Sequence, residues 1–494
     1  MGSIRKQTIL SSIIIYLGFF IGFLNTWFFI RNNSFSPAEY GLTRLFFDIG
    51  LNIFAFASFG VVPVIFKFFP YFNDRLERKK NDLLTWCMMA SLIGFVLVVL
   101  AGWLFEPLII RKFSGRSALL VQYYYWIFPF GFGILLFSIL EVFSWSVKQT
   151  LLPNFLKETG LRIFTLLIIL PYYLKWIDFP TFIKLFAFTY LGIALILFFW
   201  LRVKGELKLS FQISNVTKRY RKKMLMLAVY TYAGVIISML AQSLDSIFIA
   251  SLKGLDLAGI FNLAAYIANL IQVPQRSVIS VTTPLLSKAW KDKNLQEISR
   301  IYNRSSINLL ALALFIFGGI WLNIHEAFGL LDIRSDYNAG ISVIFILALA
   351  RVIDAGTGVN NSIIATSSLW RFEFFTGVVL VLLIIPLNYT LISAYGIVGS
   401  AWSNFISFTT YNTIRLWFLW YRFKLQPFSI KTLYLILLGI AAYFISFYAF
   451  ENWNGWTGIF LRSICFSMLY LGGMLVLNIS PDAQALAKTI FRKK

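Results

Sequence analysis

Apolar runs of about twenty residues, each closed by a short polar or basic stretch, follow one another along almost the whole chain, the length that a helix rising 1.5 Å per residue needs to cross a bilayer. The runs are continuous and do not alternate, so they predict spanning helices and not a barrel. Spans are expected near residues 8–30, 42–67, 83–105, 119–143, 155–174, 179–202, 226–250, 256–282, 304–325, 340–363, 372–388, 393–418, 431–450 and 456–477. The fold class expected is therefore all-α and polytopic, with about fourteen transmembrane helices.

The spans group as two sets of six plus two. Residues 8–202 recur about 218 positions later: Gly41 of "SPAEYGLTRLF" falls on Gly259 of "DLAGIFNLA", and Trp103 of "LAGWLFE" on Trp321 of "GGIWLNIHE". A unit with an even number of spans enters and leaves on one side, so the two copies are parallel repeats about an axis along the membrane normal, an arrangement found in transporters. The expected division is an N-terminal six-helix lobe (1–202), a basic linker (203–225), a C-terminal six-helix lobe (226–420), two further helices (431–477) and a tail (478–494) read as a surface helix capped by Ser480.

Composition agrees with this pattern. A chain that is 59% apolar, with mean hydropathy +0.76, carries more apolar surface than a soluble domain can bury. The net charge of +23 comes from Lys and Arg concentrated in loops on one side, which the positive-inside rule assigns to the cytoplasm together with both termini. Charge in separate short loops is topology and attraction to anionic lipid, so no nucleic-acid role is expected. The densest cluster, Lys218, Arg219, Arg221, Lys222 and Lys223, lies in the linker and reads as a headgroup anchor. The basic start "MGSIRKQTIL" leads into an apolar run too long for a cleaved signal peptide. Cys87 and Cys465 fall inside different spans and suggest packing, so neither a disulfide framework, a metal site nor a cofactor is inferred. Short outer loops disfavour a membrane glycosyl-transfer enzyme, and no catalytic residue is assigned.

Charge inside a span is costly and marks functional candidates. Arg351 lies near the bilayer midplane; Asp354, Asn360 and Asn361 continue its face. That face either lines an aqueous cavity or holds an Arg–Asp pair fastening two helices. Arg276 follows Pro274, which can bend its helix; the side chain either faces a substrate path or reaches the headgroups. Arg44 and Asp48 form an i, i+4 pair, and Asp245 is a counter-charge for one of the arginines or, with Asp48 and Asp354, an ion-coupling group. Glu141, Glu158 and Arg162 are gate or boundary residues at most. Lys184, Arg415 and Arg462 lie within reach of headgroups and stay outside the expected site. His325, the lone histidine, reads as a solvated interfacial contact.

Several arginines between apolar lobes suit a large anionic headgroup, because guanidinium stays charged when desolvated and binds phosphate oxygens in a fork. A diphosphate-linked lipid fits, its tail remaining in the bilayer. The span count, "SPAEYGLTRLF", "DSIFIASLKGLDLAGIFNLAAYIANL", "PLLSKAWKDKNLQEISRIY" and "AYGIVGSAWSNFISF" together resemble the multidrug, oligosaccharidyl-lipid and polysaccharide exporter superfamily, in its bacterial polysaccharide (Wzx-type) flippase branch. The resemblance implies two six-helix lobes around a central cavity, alternating access, and outward movement of an undecaprenyl-diphosphate-linked oligosaccharide across the inner membrane. Feeding O-antigen (lipopolysaccharide), capsule or exopolysaccharide synthesis, such a flippase has polysaccharide polymerase and glycosyltransferases as expected partners, and a monomer suffices for turnover. Arg276 and Arg351 would line the C-terminal lobe, Arg44 and Asp48 the N-terminal one. The first span carries neither the carboxylate that proton-coupled drug exporters tend to have nor the arginines of lipid II flippases. A cation-coupled multidrug exporter on the same fold is the alternative.

Overall fold

The computed structural model describes residues 17–480 with 482 and 484, and of Arg78 only the backbone. Residues 8–16 of the first predicted span and most of the predicted tail helix lie outside that range. The chain is an all-α multi-spanning membrane protein, and it divides into two compact units, Met1–Gly259 and Ile260–Lys494.

In the first unit the helices are α1 (Leu17–Ile30), α2 (Pro37–Ala57), α3 (Val61–Asn73), α4 (Leu83–Phe113), α5 (Ile127–Ser146), α6 (Leu161–Tyr173), α7 (Phe179–Val203) and α8 (Asn215–Leu252). α9 (Leu255–Asn269) begins there and runs into the second unit. The rest are α10 (Val273–Lys291), α11 (Leu295–Leu330), α12 (Ile341–Gly356), α13 (Asn360–Thr366), α14 (Arg371–Phe423), α15 (Ile430–Ala449) and α16 (Gly455–Val476).

Local chemistry sets the starts and breaks. "SPAE" opens α2 with a capping box: Glu39 N donates to Ser36 Oγ at 3.2 Å, Ser36 N donates to Glu39 Oε2 at 2.7 Å, and Pro37 fills the first position. The second predicted span is bent by 52° between α2 and α3. The eighth breaks in a 3-10 turn at Leu270–Gln272 and resumes as α10 with Pro274 in its first turn, where a missing N–H costs nothing. The fifth passes through a π-helical turn, Leu156–Gly160, before α6. The glycines that the repeat superimposes face each other: a Cβ on Gly41 would stand 2.3 Å from the Leu255 carbonyl oxygen, and one on Gly259 would stand 2.1 Å from that of Pro37. Only glycine permits that backbone approach.

Among the described residues ten helices are long and apolar enough to cross a membrane, or eleven if α2 and α3 form one span. Within the described range the fourteen predicted segments fall mostly on helix, with turns inside some of them, as at 58–60 and 357–359. Part of the difference lies in α14, whose 53 residues would be about 80 Å long if straight. It is not one rod. Phe372 stacks on Phe418 at 3.8 Å, Glu373 pairs with Arg415, Arg415 Nε donates to Thr376 at 3.3 Å, and a Cβ on Gly399 would stand 2.0 Å from the Leu391 carbonyl oxygen. These pairs share a midpoint near residue 395 and define a helical hairpin. Gly396 makes the turn at φ 60°, ψ −137°, which a side chain would disfavour.

Packing in the first unit is strongly aromatic. α5 sits between α2 and α7, with Phe130 stacked on Phe186 at 5.3 Å and edge-on to Phe47 and Tyr190 at 5.0 Å and 5.3 Å. Such pairs add to plain area burial and fix helix rotation.

Candidate functional site

Two polar clusters interrupt this apolar packing, one in each unit. In the first, α2 presents Arg44, Asp48 and Asn52 at successive turns, while α8 presents Ser243, Asp245 and Ser246. Asn52 Nδ2 donates to Ser243 Oγ at 2.7 Å and to the Asp48 carbonyl at 2.8 Å. Ser246 is the hydroxyl partner of the Asp48 carboxylate, and Arg44 and Asp245 are its charged neighbours. Asp48 thus has one guanidinium and one second acidic group beside it, and that guanidinium also lies 4.9 Å from the Tyr40 ring. Asp48 Oδ2 and Asn52 Oδ1 are buried and accept no hydrogen bond. Oxygen atoms left so in an apolar surround favour any cation or proton that reaches them.

The second cluster surrounds a pocket of about 180 Å³ whose lining includes Gln275, Asp354, Asn361, Phe408, Tyr411 and Arg415. Asp354 sits near the end of α12. Its Oδ1 accepts from Asn412 Nδ2 at 2.9 Å and its Oδ2 from Gln272 Nε2 at 3.0 Å. Asn360 Nδ2 donates to Asn412 Oδ1 at 3.0 Å and Thr357 Oγ1 at 3.1 Å, and Thr357 gives its hydroxyl proton to the Asp354 carbonyl at 2.7 Å. The carboxylate is thereby held by neutral amides on two other elements.

Arg415 is 2% exposed. It pairs with Glu373 and lies 3.7 Å over the Tyr411 ring, so its charge is both neutralised and stacked beside the pocket.

The predicted site residues divide between these places. Asp354, Asn360 and Asn361 line the second-unit pocket. Arg351 is one turn back on α12, 4.8 Å over the ring of the lining residue Phe408. Arg276 is exposed on α10, beside Gln275. Arg44, Asp48 and Asp245 meet in the first unit.

Sequence reasoning did not bring in Asn412, Tyr411, Gln272 or Arg415. It set Arg415 aside because the twelfth span was expected to end at residue 418; α14 continues to Phe423, which sets Arg415 about 12 Å from the helix end. Phe408, Tyr411, Asn412 and Arg415 share one helical face, and that polar stripe in an apolar span was the available signal. Arg462 is likewise no headgroup contact: it is buried against Glu326, which also accepts from the Gly455 amide.

Nearer the basic ends of α5 and α6, Lys157 Nζ contacts both carboxylate oxygens of buried Glu141 at 3.0 Å. Glu158 lies 3.7 Å from Arg162 across the π-helical turn. Arg162 lies along the Gly18–Gly22 face of α1, and Asn25 Nδ2 donates to its carbonyl at 2.8 Å.

Charged clusters thus lie inside the apolar helices of each unit. No family model matches the chain, and no curated protein matches its sequence. Among solved structures the chain is similar to the lipid II flippase MurJ in an inward closed conformation, with a TM-score of 0.75 and 16% identity over 95% of this chain and 98% of that one. It is also similar to an inward-facing multidrug resistance MATE family transporter of the MOP superfamily, with a TM-score of 0.65 and 14% identity over 85% of this chain and 94% of that one. A third is a MOP superfamily transporter from Pyrococcus furiosus, with a TM-score of 0.52 and 14% identity over 85% and 96%. The chain shares the fold of these proteins, which is the fold the sequence resemblance implies.

Proposed function

We propose that this protein is a flippase that carries an undecaprenyl-diphosphate-linked oligosaccharide from the cytoplasmic to the outer face of the inner membrane by alternating access, for surface polysaccharide synthesis. The observation that carries the reading is the likeness to a lipid II flippase over 95% of the chain, against 85% for the MATE transporters. In this reading the basic loops and both termini face the cytoplasm, and one chain performs the cycle.

Arg44, Arg276 and Arg351 bind the phosphorylated headgroup, since guanidinium keeps its charge out of water. Asn360 and Asn361 supply amide contacts to sugar hydroxyls. Asp48, Asp245 and Asp354 balance charge while the site is empty.

The test is genetic and biochemical. Arg276→Ala and Arg351→Ala are expected to abolish surface polysaccharide while the protein stays in the membrane at normal levels. In proteoliposomes both variants should stop outward movement of a fluorescent lipid-linked saccharide. Unchanged polysaccharide with altered drug sensitivity would reject the flippase in favour of a cation-coupled multidrug exporter. That second reading draws on the two neighbouring acidic groups, Asp48 and Asp245, in the first unit and on the MATE likeness.

A further inference from the structure

The segment joining α7 to α8 is strapped across the first unit. Asp82, fully buried at the start of α4, accepts from Ser214 N at 2.9 Å and from the Thr217 hydroxyl at 2.8 Å, while Ser210 N donates to Thr85 Oγ1 at 3.0 Å. Leu207 is buried beneath the strap. Between these pins the strap crosses the groove between α4 and α5 and divides it into two cavities.

The cavity toward the loop ends of α4 and α5 is small and polar at its mouth, with Asn73, Asn81, Glu206 and Lys208 against Phe143 and Val147. The deeper one holds about 170 Å³ and is walled by Met88, Met89, Leu92, Phe132, Leu136 and Phe211. Its order along the helices is consistent: α4 passes from Leu84 in the shallow cavity to Leu92 in the deep one, while α5 passes from Val147 to Phe132. The groove is therefore polar at one end and apolar along a shaft into the bilayer.

Water cannot fill the shaft. An ordered water needs two to four polar partners, and apart from Thr85, already bonded to the strap, the lining offers the hydroxyl of Ser91, which is 1% exposed and has no partner. Apolar cavities of about 150 Å³ stay dry and take apolar guests. Leu92 and Met89 are exposed, as are Ile93, Val96 and Leu97 on the outer face of α4, so the shaft opens toward hydrocarbon. At the mouth, Lys208 and the two amides offer donors to phosphate oxygens, and exposed Lys79, Lys80 and Lys204 add positive charge close by in sequence. Glu206 in the same mouth opposes a multiply charged diphosphate and leaves a singly charged phosphodiester as the better match.

We infer that this groove binds one anionic phospholipid of the leaflet facing the basic loops, its phosphodiester at Lys208 and one acyl chain in the shaft beneath Leu209 and Phe211. The lipid then fastens the strap to the first unit.

The full-length protein, reconstituted in phosphatidylcholine with a phosphatidylglycerol carrying a diazirine in its acyl chain, is irradiated and the label mapped. Labelling should concentrate on Met88, Met89 and Phe211. Lys208→Gln should lower it about fivefold, the effect of one basic residue near a lipid surface. Met89→Trp, which fills the shaft with the mouth intact, should abolish it in protein that still elutes as a single folded species. Label spread evenly along Ile93, Val96 and Leu97, or unchanged by Lys208→Gln, overturns the inference. So does displacement of the probe by a polyprenyl phosphate more readily than by unlabelled phosphatidylglycerol, which would make the groove a carrier-lipid site.

Discussion

Asp48 and Asp354 are both half-buried carboxylates among apolar helices, but the two halves of the molecule treat them in opposite ways. Asp354 has each oxygen taken by a side-chain amide, and one of those amides, Asn412, is itself braced by Asn360 and Thr357. Asp48 meets one hydroxyl and one guanidinium, has a second acidic residue for a neighbour, and keeps Oδ2 without a hydrogen bond. A saturated acceptor fixes geometry, because any departure leaves a donor stranded. An unsaturated one responds to whatever charge arrives. A shared fold thus holds a rigid polar joint in one unit and a responsive one in the other.

The largest effect that tests this contrast is expected at the edge of the rigid joint. Arg415→Leu leaves half-buried Glu373 without its counter-charge and empties a buried position, and should cost about 3 kcal/mol, read as a lowered unfolding midpoint in detergent. A midpoint within error of the parent protein would mean that the joint is not held by this pair. Next comes Asp354→Asn: the new amide cannot accept from both Asn412 and Gln272, and about 2 kcal/mol should be lost. Asn412→Leu should cost a similar amount, and the double variant less than the sum of the two, because both break one network. Smallest is Asp48→Asn, which removes one of two neighbouring acidic groups and should change stability by no more than about 0.5 kcal/mol in either direction. A loss at Asp48 equal to that at Asp354 would erase the distinction between the units.

Legibility in the sequence follows from the range of the forces involved. The all-α, multi-spanning character was readable because hydrophobic length is a local property. Asp48 with Asp245 and Asp354 with Asn360 could be picked out because a charged or amide group inside an apolar run is conspicuous wherever its partner lies. The partners were harder. Gln272 reaches Asp354 from a 3-10 turn that begins only where the helix breaks, and Asn412 reaches it through the hairpin; neither spacing exists along a single helix. Arg415 was misplaced by the end of one span, since an apolar run does not mark how far a helix continues beyond it. The chain is 16% identical to the lipid II flippase MurJ, yet the folds are similar at a TM-score of 0.75. Backbone architecture outlasts the residues that line it.

The hairpin of α14 has mechanical consequences. It is pinned by the Gly396 turn at one end and by Phe372 on Phe418 and Glu373 with Arg415 near the other, so its arms pivot together and cannot slide past each other. From Gly396 to Arg415 is about 28 Å of helix, so a tilt of about 10° at the turn sweeps Arg415 through about 5 Å. A small rotation at one membrane face becomes a stroke of molecular size beside Asp354, with the hairpin acting as the lever arm.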